Sequence, residues 1–125
     1  MRWKARQMVS ENILICGSRS DFDVVKVIAS INKIVDDNST ALFIHGGARG
    51  VDRIADNILK LKNVNTEVHN PDYYKYGKVA PLIRDNEMVD KADKIYAFWN
   101  GRSKGTKYVI SYSKEKHKNI EVIQV

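Results

Sequence analysis

Four apolar residues, Ala41-Leu42-Phe43-Ile44, end at His45 and are followed by three glycines within five positions, Gly46, Gly47 and Gly50. Val51, Ile54, Ala55, Ile58 and Leu59 then recur at helical spacing. This reads as a short buried strand, a glycine-rich turn and a helix. The stretch constrains the fold because a strand apolar on both faces must be covered on both sides, as in a parallel sheet. Glycines allow positive φ and close approach of a ligand to the main chain. The helix start adds unpaired N–H groups and a partial positive charge, a combination suited to phosphate. A tight turn without a ligand has the same sequence, so this pattern needs support from the rest of the chain.

The alternation continues in both directions. Ile13-Leu14-Ile15-Cys16 is a strand that ends in Gly17-Ser18-Arg19, and Asp21 or Asp23 caps the helix that follows. Val24, Val27, Ile28, Ile31, Ile34 and Val35 form its apolar stripe. Thr66-Glu67-Val68-His69 is a more polar strand, expected near a sheet edge. Residues 70–81 carry Tyr73, Tyr74 and Tyr76 and read as an aromatic loop. Pro81 fits the first turn of a helix reaching Lys91. Lys94 to Trp99 is the fourth strand, 100–106 a second glycine-bearing turn, 106–116 a helix and 120–125 the last strand. Strands alternating with helices imply right-handed parallel crossovers. The expected fold is α/β, a Rossmann-like, doubly wound, mostly parallel five-stranded sheet with helices on both faces. Residues 1–11 are expected to be an N-terminal arm and 12–125 a single domain.

At 125 residues one domain with its own core is expected, without metal or disulfide staples. The lone Cys16 reads as a small buried apolar residue in a reducing compartment. No stretch is apolar over a membrane-spanning length and the basic N-terminus has no signal-peptide core, so a cytoplasmic protein without a membrane partner is expected. The net charge of +6 suits a polyanionic partner, from a nucleotide to a nucleic acid, although a lysine-rich surface alone produces the same number.

Open doubly wound sheets bind ligands beyond the C-terminal ends of their strands, near the switch point. The turns beginning at Gly17, His45 and Gly101, with the tyrosine loop, all fall at that edge. Gly17, Ser18 and Arg19 offer a close backbone, a hydroxyl and a guanidinium fork. His45, Gly46, Gly47, Ala48, Arg49 and Gly50 form the second turn. Asp52 either caps the following helix or accepts from a ribose hydroxyl. Tyr73 and Tyr74 offer faces for a base. Arg84 opens toward the cleft. Asn100, Gly101, Ser103, Gly105 and Thr106 join small residues and hydroxyls to a helix start. The histidines are scattered and no cysteine partners them, so no metal is expected, and no cofactor. There is no nucleophile elbow, no Walker lysine motif and no dinucleotide fingerprint.

Taken together, Gly17-Ser18-Arg19, His45-Gly-Gly-Ala-Arg-Gly-Val-Asp52, Tyr76-Gly-Lys-Val-Ala-Pro-Leu-Ile-Arg84 with Met88, and Phe98-Trp-Asn-Gly-Arg-Ser-Lys-Gly-Thr106 resemble the SLOG superfamily. The chain is most similar to its small stand-alone group related to YspA and YpsA. The resemblance implies a domain that senses or carries a nucleotide or nucleotide-derived ligand, such as an ADP-ribose-type molecule, and a homodimer. It also links the chain to LOG phosphoribohydrolases, which cleave the N-glycosidic bond of nucleoside monophosphates with an arginine and a glutamate. Arg84 falls where that arginine would be, Val109 stands at the glutamate position, and Asp85 replaces a usual asparagine. A valine neither takes nor gives a proton, so binding without catalysis is expected. If the chain is an enzyme, Arg84, Asp85 and Glu87 are its candidates, with Asp52 a further carboxylate. DNA-processing protein A, which binds single-stranded DNA, shares the Gly46–Asp52 pattern, so a nucleic-acid partner is a further expectation.

Overall fold

The computed structural model describes residues 11–125. The expected N-terminal arm lies outside the described residues apart from Glu11. The elements are β1 Asn12–Gly17, α1 Val24–Asp37, β2 Leu42–His45, α2 Val51–Lys62, β3 Thr66–Val68, the short α3 Tyr73–Tyr76, α4 Ala80–Lys91, β4 Lys94–Trp99, α5 Lys104–Glu115 and β5 Asn119–Gln124. The five strands form one sheet in the order β3-β2-β1-β4-β5, and every pairing is parallel. The Rossmann-like α/β fold read from the alternation is the one observed.

Period-two alternation splits the strand side chains between two cores. Ile13 and Ile15 of β1, Phe43 of β2 and Phe98 of β4 face α1 and α2, whose stripes supply Val27, Ile31, Val35, Val51, Ala55 and Leu59. Leu14 and Cys16, Ile44, and Ile95 and Ala97 face the other way, onto Met88, Val89 and Ala92 of α4 and its end, and Val109 and Ile110 of α5. The central strand β1 is buried on both faces and the outer strand β3 alternates exposed and half-buried. That is why Thr66-Glu67-Val68 tolerates polar residues. Asp23 is the N-cap of α1, its carboxylate accepting from the Lys26 amide at 3.0 Å.

The tyrosine segment differs from the expected loop. Asp72 accepts from the Lys75 amide at 3.0 Å and caps one helical turn, followed by a 3₁₀ turn at Gly77–Val79 that leads into α4. No helix among the described residues is long and apolar enough to cross a membrane.

Candidate functional site

The chain leaves β1 toward β2 on one side and comes back to β4 on the other, so the sheet's switch point lies between β1 and β4. Gly17 is level with Phe98 there. Ser18 closes the junction: its amide donates to the Phe98 carbonyl at 2.9 Å, its carbonyl accepts from the Val51 amide at 3.1 Å, and its hydroxyl accepts from the Asn100 amide at 3.1 Å. Ser18 is fully buried, so its hydroxyl serves the junction and not a ligand. Asn100 builds the neighbouring turn, its side-chain oxygen accepting from the amides of Arg102 and Ser103 and its amide donating to the Ser20 carbonyl. Ser103 is the N-cap of α5, and its Oγ lies 3.1 Å from Thr106 Oγ1.

The glycine turn between β2 and α2 is held from inside. Asp52 Oδ2 accepts from the amides of Gly46 at 3.1 Å and Ala48 at 3.2 Å. Asp52 therefore binds the turn that precedes it and does not cap α2. The Gly47 amide donates to His45 Nδ1 at 3.0 Å, which assigns the proton to His45 Nε2, 2.9 Å from Asp56 Oδ1. His45 is a buried structural hydrogen-bonding group. Three of the amides that the glycine pattern offers to a phosphate are thus committed to protein acceptors. Gly50 has φ +80°, and a Cβ there would lie 2.5 Å from the Ser18 carbonyl oxygen, so only glycine fits this contact between turns.

Arg84 reaches in from α4. Its Nη1 donates to the carbonyls of Gly46 at 2.6 Å and His69 at 3.2 Å, and its Nε to Asp85 Oδ1 at 2.8 Å. A Cβ on Gly46 would stand 2.6 Å from Arg84 Nη1, so glycine makes room for the guanidinium. Both Arg84 and Asp85 are buried.

These turns enclose a cavity of about 550 Å³, within the usual size range for small-molecule sites. Of the residues expected to bind a ligand, Gly17, Arg19, Ala48, Arg49, Asp52, Arg84, Asn100, Ser103, Gly105 and Thr106 line it. Ser18, His45, Gly46, Gly47, Gly50 and Gly101 lie outside the lining, as do Tyr73 and Tyr74, which are exposed. Asp85 lines the cavity, whereas Glu87 is exposed and outside it. The sequence reading did not assign Cys16, Ser20, Asp21, Pro81, Leu82, Met88 and Arg102 to the site. Arg102 carried the clearest signal, as a guanidinium inside the second glycine turn. The buried part of the lining includes Cys16, Met88, Val109, Asp52, Arg84 and Asp85, and the exposed rim carries Arg19, Arg49 and Arg102.

Residues 11–76 match the model of a family described as the YspA, cpYpsA-related SLOG family. A curated relative, the Gene 61 protein of Mycobacterium phage D29, is 38% identical over 103 residues, covering 77% of this chain and 82% of its own. The chain belongs to the YspA, cpYpsA-related SLOG family. Two solved structures share the fold of this SLOG chain. DNA processing protein A from Streptococcus pneumoniae has a TM-score of 0.76 at 12% identity, over 94% of this chain and 52% of its own. The Helicobacter pylori protein, solved to describe its single-stranded DNA binding mode, has 0.70 at 17% identity, over 90% and 64%. The SLOG chain thus spans about half the length of the S. pneumoniae protein.

The electrostatics of the SLOG cavity are mixed. Burial raises the Asp52 carboxyl above the ordinary aspartate range, against the Ala48 amide, His45, the Gly46 amide and Arg84, which all pull it down. Burial also raises Asp85, opposed by Arg84 and Arg19. Burial first, then the charges of Asp52 and Asp85, push the Cys16 thiol well up, which favours its neutral form at the cavity wall. Among the described residues, His, Cys, Asp and Glu form no cluster able to hold a metal ion.

Proposed function

We propose that this chain binds a nucleotide or nucleotide-derived phosphate ligand, ADP-ribose-type molecules among them, in the cavity between β1 and β4, without catalysing its conversion. The observation that carries the reading is a switch-point cavity whose buried floor is partly apolar and whose rim holds three arginines, Arg19, Arg49 and Arg102. An apolar floor accepts a ring, and guanidinium groups pair with phosphate oxygens. Val109 at the α5 position of the floor supports binding over glycosidic cleavage, since it can neither donate nor accept a proton. The first turns of α2 and α5, at Asp52 and Gly105, reach the same cavity and add their helix-end charge.

A thermal-shift panel of mononucleotides, NAD, ADP-ribose and cyclic ADP-ribose tests this. A ligand that binds the folded chain raises the melting temperature by mass action, by the equivalent of about 2.7 kcal/mol at a hundred times Kd. A folded chain whose melting temperature stays still with every member sinks the proposal. A second reading, single-stranded nucleic-acid binding, draws on the fold shared with the H. pylori protein. The homodimer belongs with these proposals, and light scattering on the eluted protein decides it.

A further inference from the structure

The cavity floor is unusual for a phosphate site. The amides of Gly46, Gly47 and Ala48 already have protein acceptors, so the turn offers a phosphate less than a full ring of free N–H groups. Two carboxylates stand there in its place. Asp52 is 5% exposed and Asp85 8% exposed, and each uses one oxygen within the protein, Asp52 Oδ2 on the glycine turn and Asp85 Oδ1 on Arg84. Among the described residues neither Asp52 Oδ1 nor Asp85 Oδ2 has a hydrogen-bond donor, and both residues line the cavity. Neither oxygen is buried away from solvent, so both are open to donors that enter the cavity, water or a ligand's hydroxyl or amine.

We propose that the ligand enters with its neutral hydrogen-bond-donating end first, placing ribose hydroxyls or an exocyclic amine on Asp52 and Asp85 and leaving its phosphate at the mouth among Arg19, Arg49 and Arg102. The inference rests on the nucleotide reading above and adds the direction in which such a ligand lies. A phosphate at the floor would face two carboxylates against the one guanidinium of Arg84, whose Nε and Nη1 already donate to Asp85, Gly46 and His69, and like charges repel. At the rim the charges suit it. Arg102 has Asp21 at 3.7 Å as an exposed and loose partner, and Arg19 and Arg49 form no ion pair among the described residues. Cys16, Met88 and Val109 complete the floor with uncharged surface for the ring that carries the donors.

Asp85→Asn separates the two orientations by sign. The amide oxygen keeps the bond from Arg84 Nε, and the new NH₂ group points where a carboxylate oxygen was. With the donor end inward, that NH₂ meets another donor and binding weakens. With phosphate inward, repulsion is removed and a donor added, so binding tightens. The experiment is calorimetric titration of the wild type, Asp85→Asn and the Arg19→Ala/Arg49→Ala double variant with the nucleoside monophosphates, their nucleosides and ADP-ribose. The expected result is about tenfold weaker nucleotide binding in Asp85→Asn, the scale of one hydrogen bond to a charged group. The arginine variant is expected to bind the nucleotide no better than the nucleoside. Unchanged or tighter nucleotide binding in Asp85→Asn overturns the orientation while leaving the nucleotide reading in place. A wild type that binds no member of the panel overturns that reading, and the orientation with it.

Discussion

Asp85 occupies a position where its charge is poorly served. Burial raises its folded-state pKa despite the Arg84 bond and the nearby Arg19. The linkage follows from that direction. A carboxyl whose pKa is higher folded than unfolded contributes its stability in full below the unfolded value, and loses it as pH rises through the folded value. Asp85→Asn removes this dependence, since an amide does not titrate. The free energy of unfolding of the variant should therefore gain on that of the wild type as pH increases from about 4 to 7, the lower bound being close to the unfolded aspartate pKa. Urea unfolding at both pH values measures it, and a variant that loses ground toward neutrality would show that Arg84 needs the charge more than burial opposes it. Asp56 illustrates the opposite case: Lys60 and His45 lower its carboxyl, so its contribution is present at neutral pH and fades only in acid. The two aspartates look alike in the sequence. What distinguishes them is depth, and depth is settled by which helix packs over which strand.

At the scale of elements, the residue that joins most pieces is Arg84. It carries α4, takes hold of the β2–α2 turn through Gly46, and takes hold of the end of β3 through His69. Removing it with Arg84→Met keeps the length of the stem but leaves two sheltered carbonyls and the Asp85 carboxylate without their donor. The expected cost is roughly 3 kcal/mol, which for a domain of this size lowers the melting temperature by about 10 °C. The measurement is the melting temperature with no nucleotide present; an unchanged value would mean that Arg84 serves a ligand alone. This role was not legible beforehand. Continuous apolar runs marked most of the strands and 3.6-residue stripes the first two helices, because burial imposes those patterns whatever the loops do. A single arginine on a helix carries no period. Its destination depends on how far α4 leans over the β2–α2 turn, which is a tertiary fact. The same holds for Asp52, whose position in the first turn of α2 suggested a cap or a ribose acceptor, and whose Oδ2 folds back onto Gly46 and Ala48 instead of capping the helix, leaving Oδ1 without a donor among the described residues. The turn at Tyr73–Tyr76 was within reach, since Asp72 stands three residues before Lys75 as a cap requires. The three tyrosines drew attention to a ligand and away from that signal.

At the scale of the whole molecule, the basic residues of the last quarter, among the described residues, do not gather into one stripe. In a parallel sheet each crossover helix runs opposite to the strands, so α5 starts at the cleft edge and finishes at the far edge. The basic last quarter of the chain is divided accordingly. Arg102 and Lys104 stand at the mouth of the cavity or beside it, whereas Lys114, Lys116 and Lys118 stand at the opposite end of the sheet. Two of these distal groups already have neighbours: Lys118 donates to the carbonyls of Asp90 and Ala92, and Lys116 lies over the Tyr112 ring. A strand of nucleic acid laid across the cleft would meet the rim arginines but not the distal lysines. Counterion release makes the slope of log affinity against log salt about −0.7 per phosphate neutralised on a single strand. Three arginines then set a slope of roughly −2 for an oligonucleotide, close to that for a ligand carrying two or three phosphate charges in the cavity. Fluorescence anisotropy of a labelled oligothymidine between 50 and 300 mM salt, roughly the range over which such slopes are read, should give this shallow dependence. Unlabelled mononucleotide should compete the oligonucleotide away, because both draw on Arg19, Arg49 and Arg102. A slope of about −5 or steeper, with no competition from the mononucleotide, would place the basic surface at both ends of α5 under one strand and make nucleic acid the primary ligand.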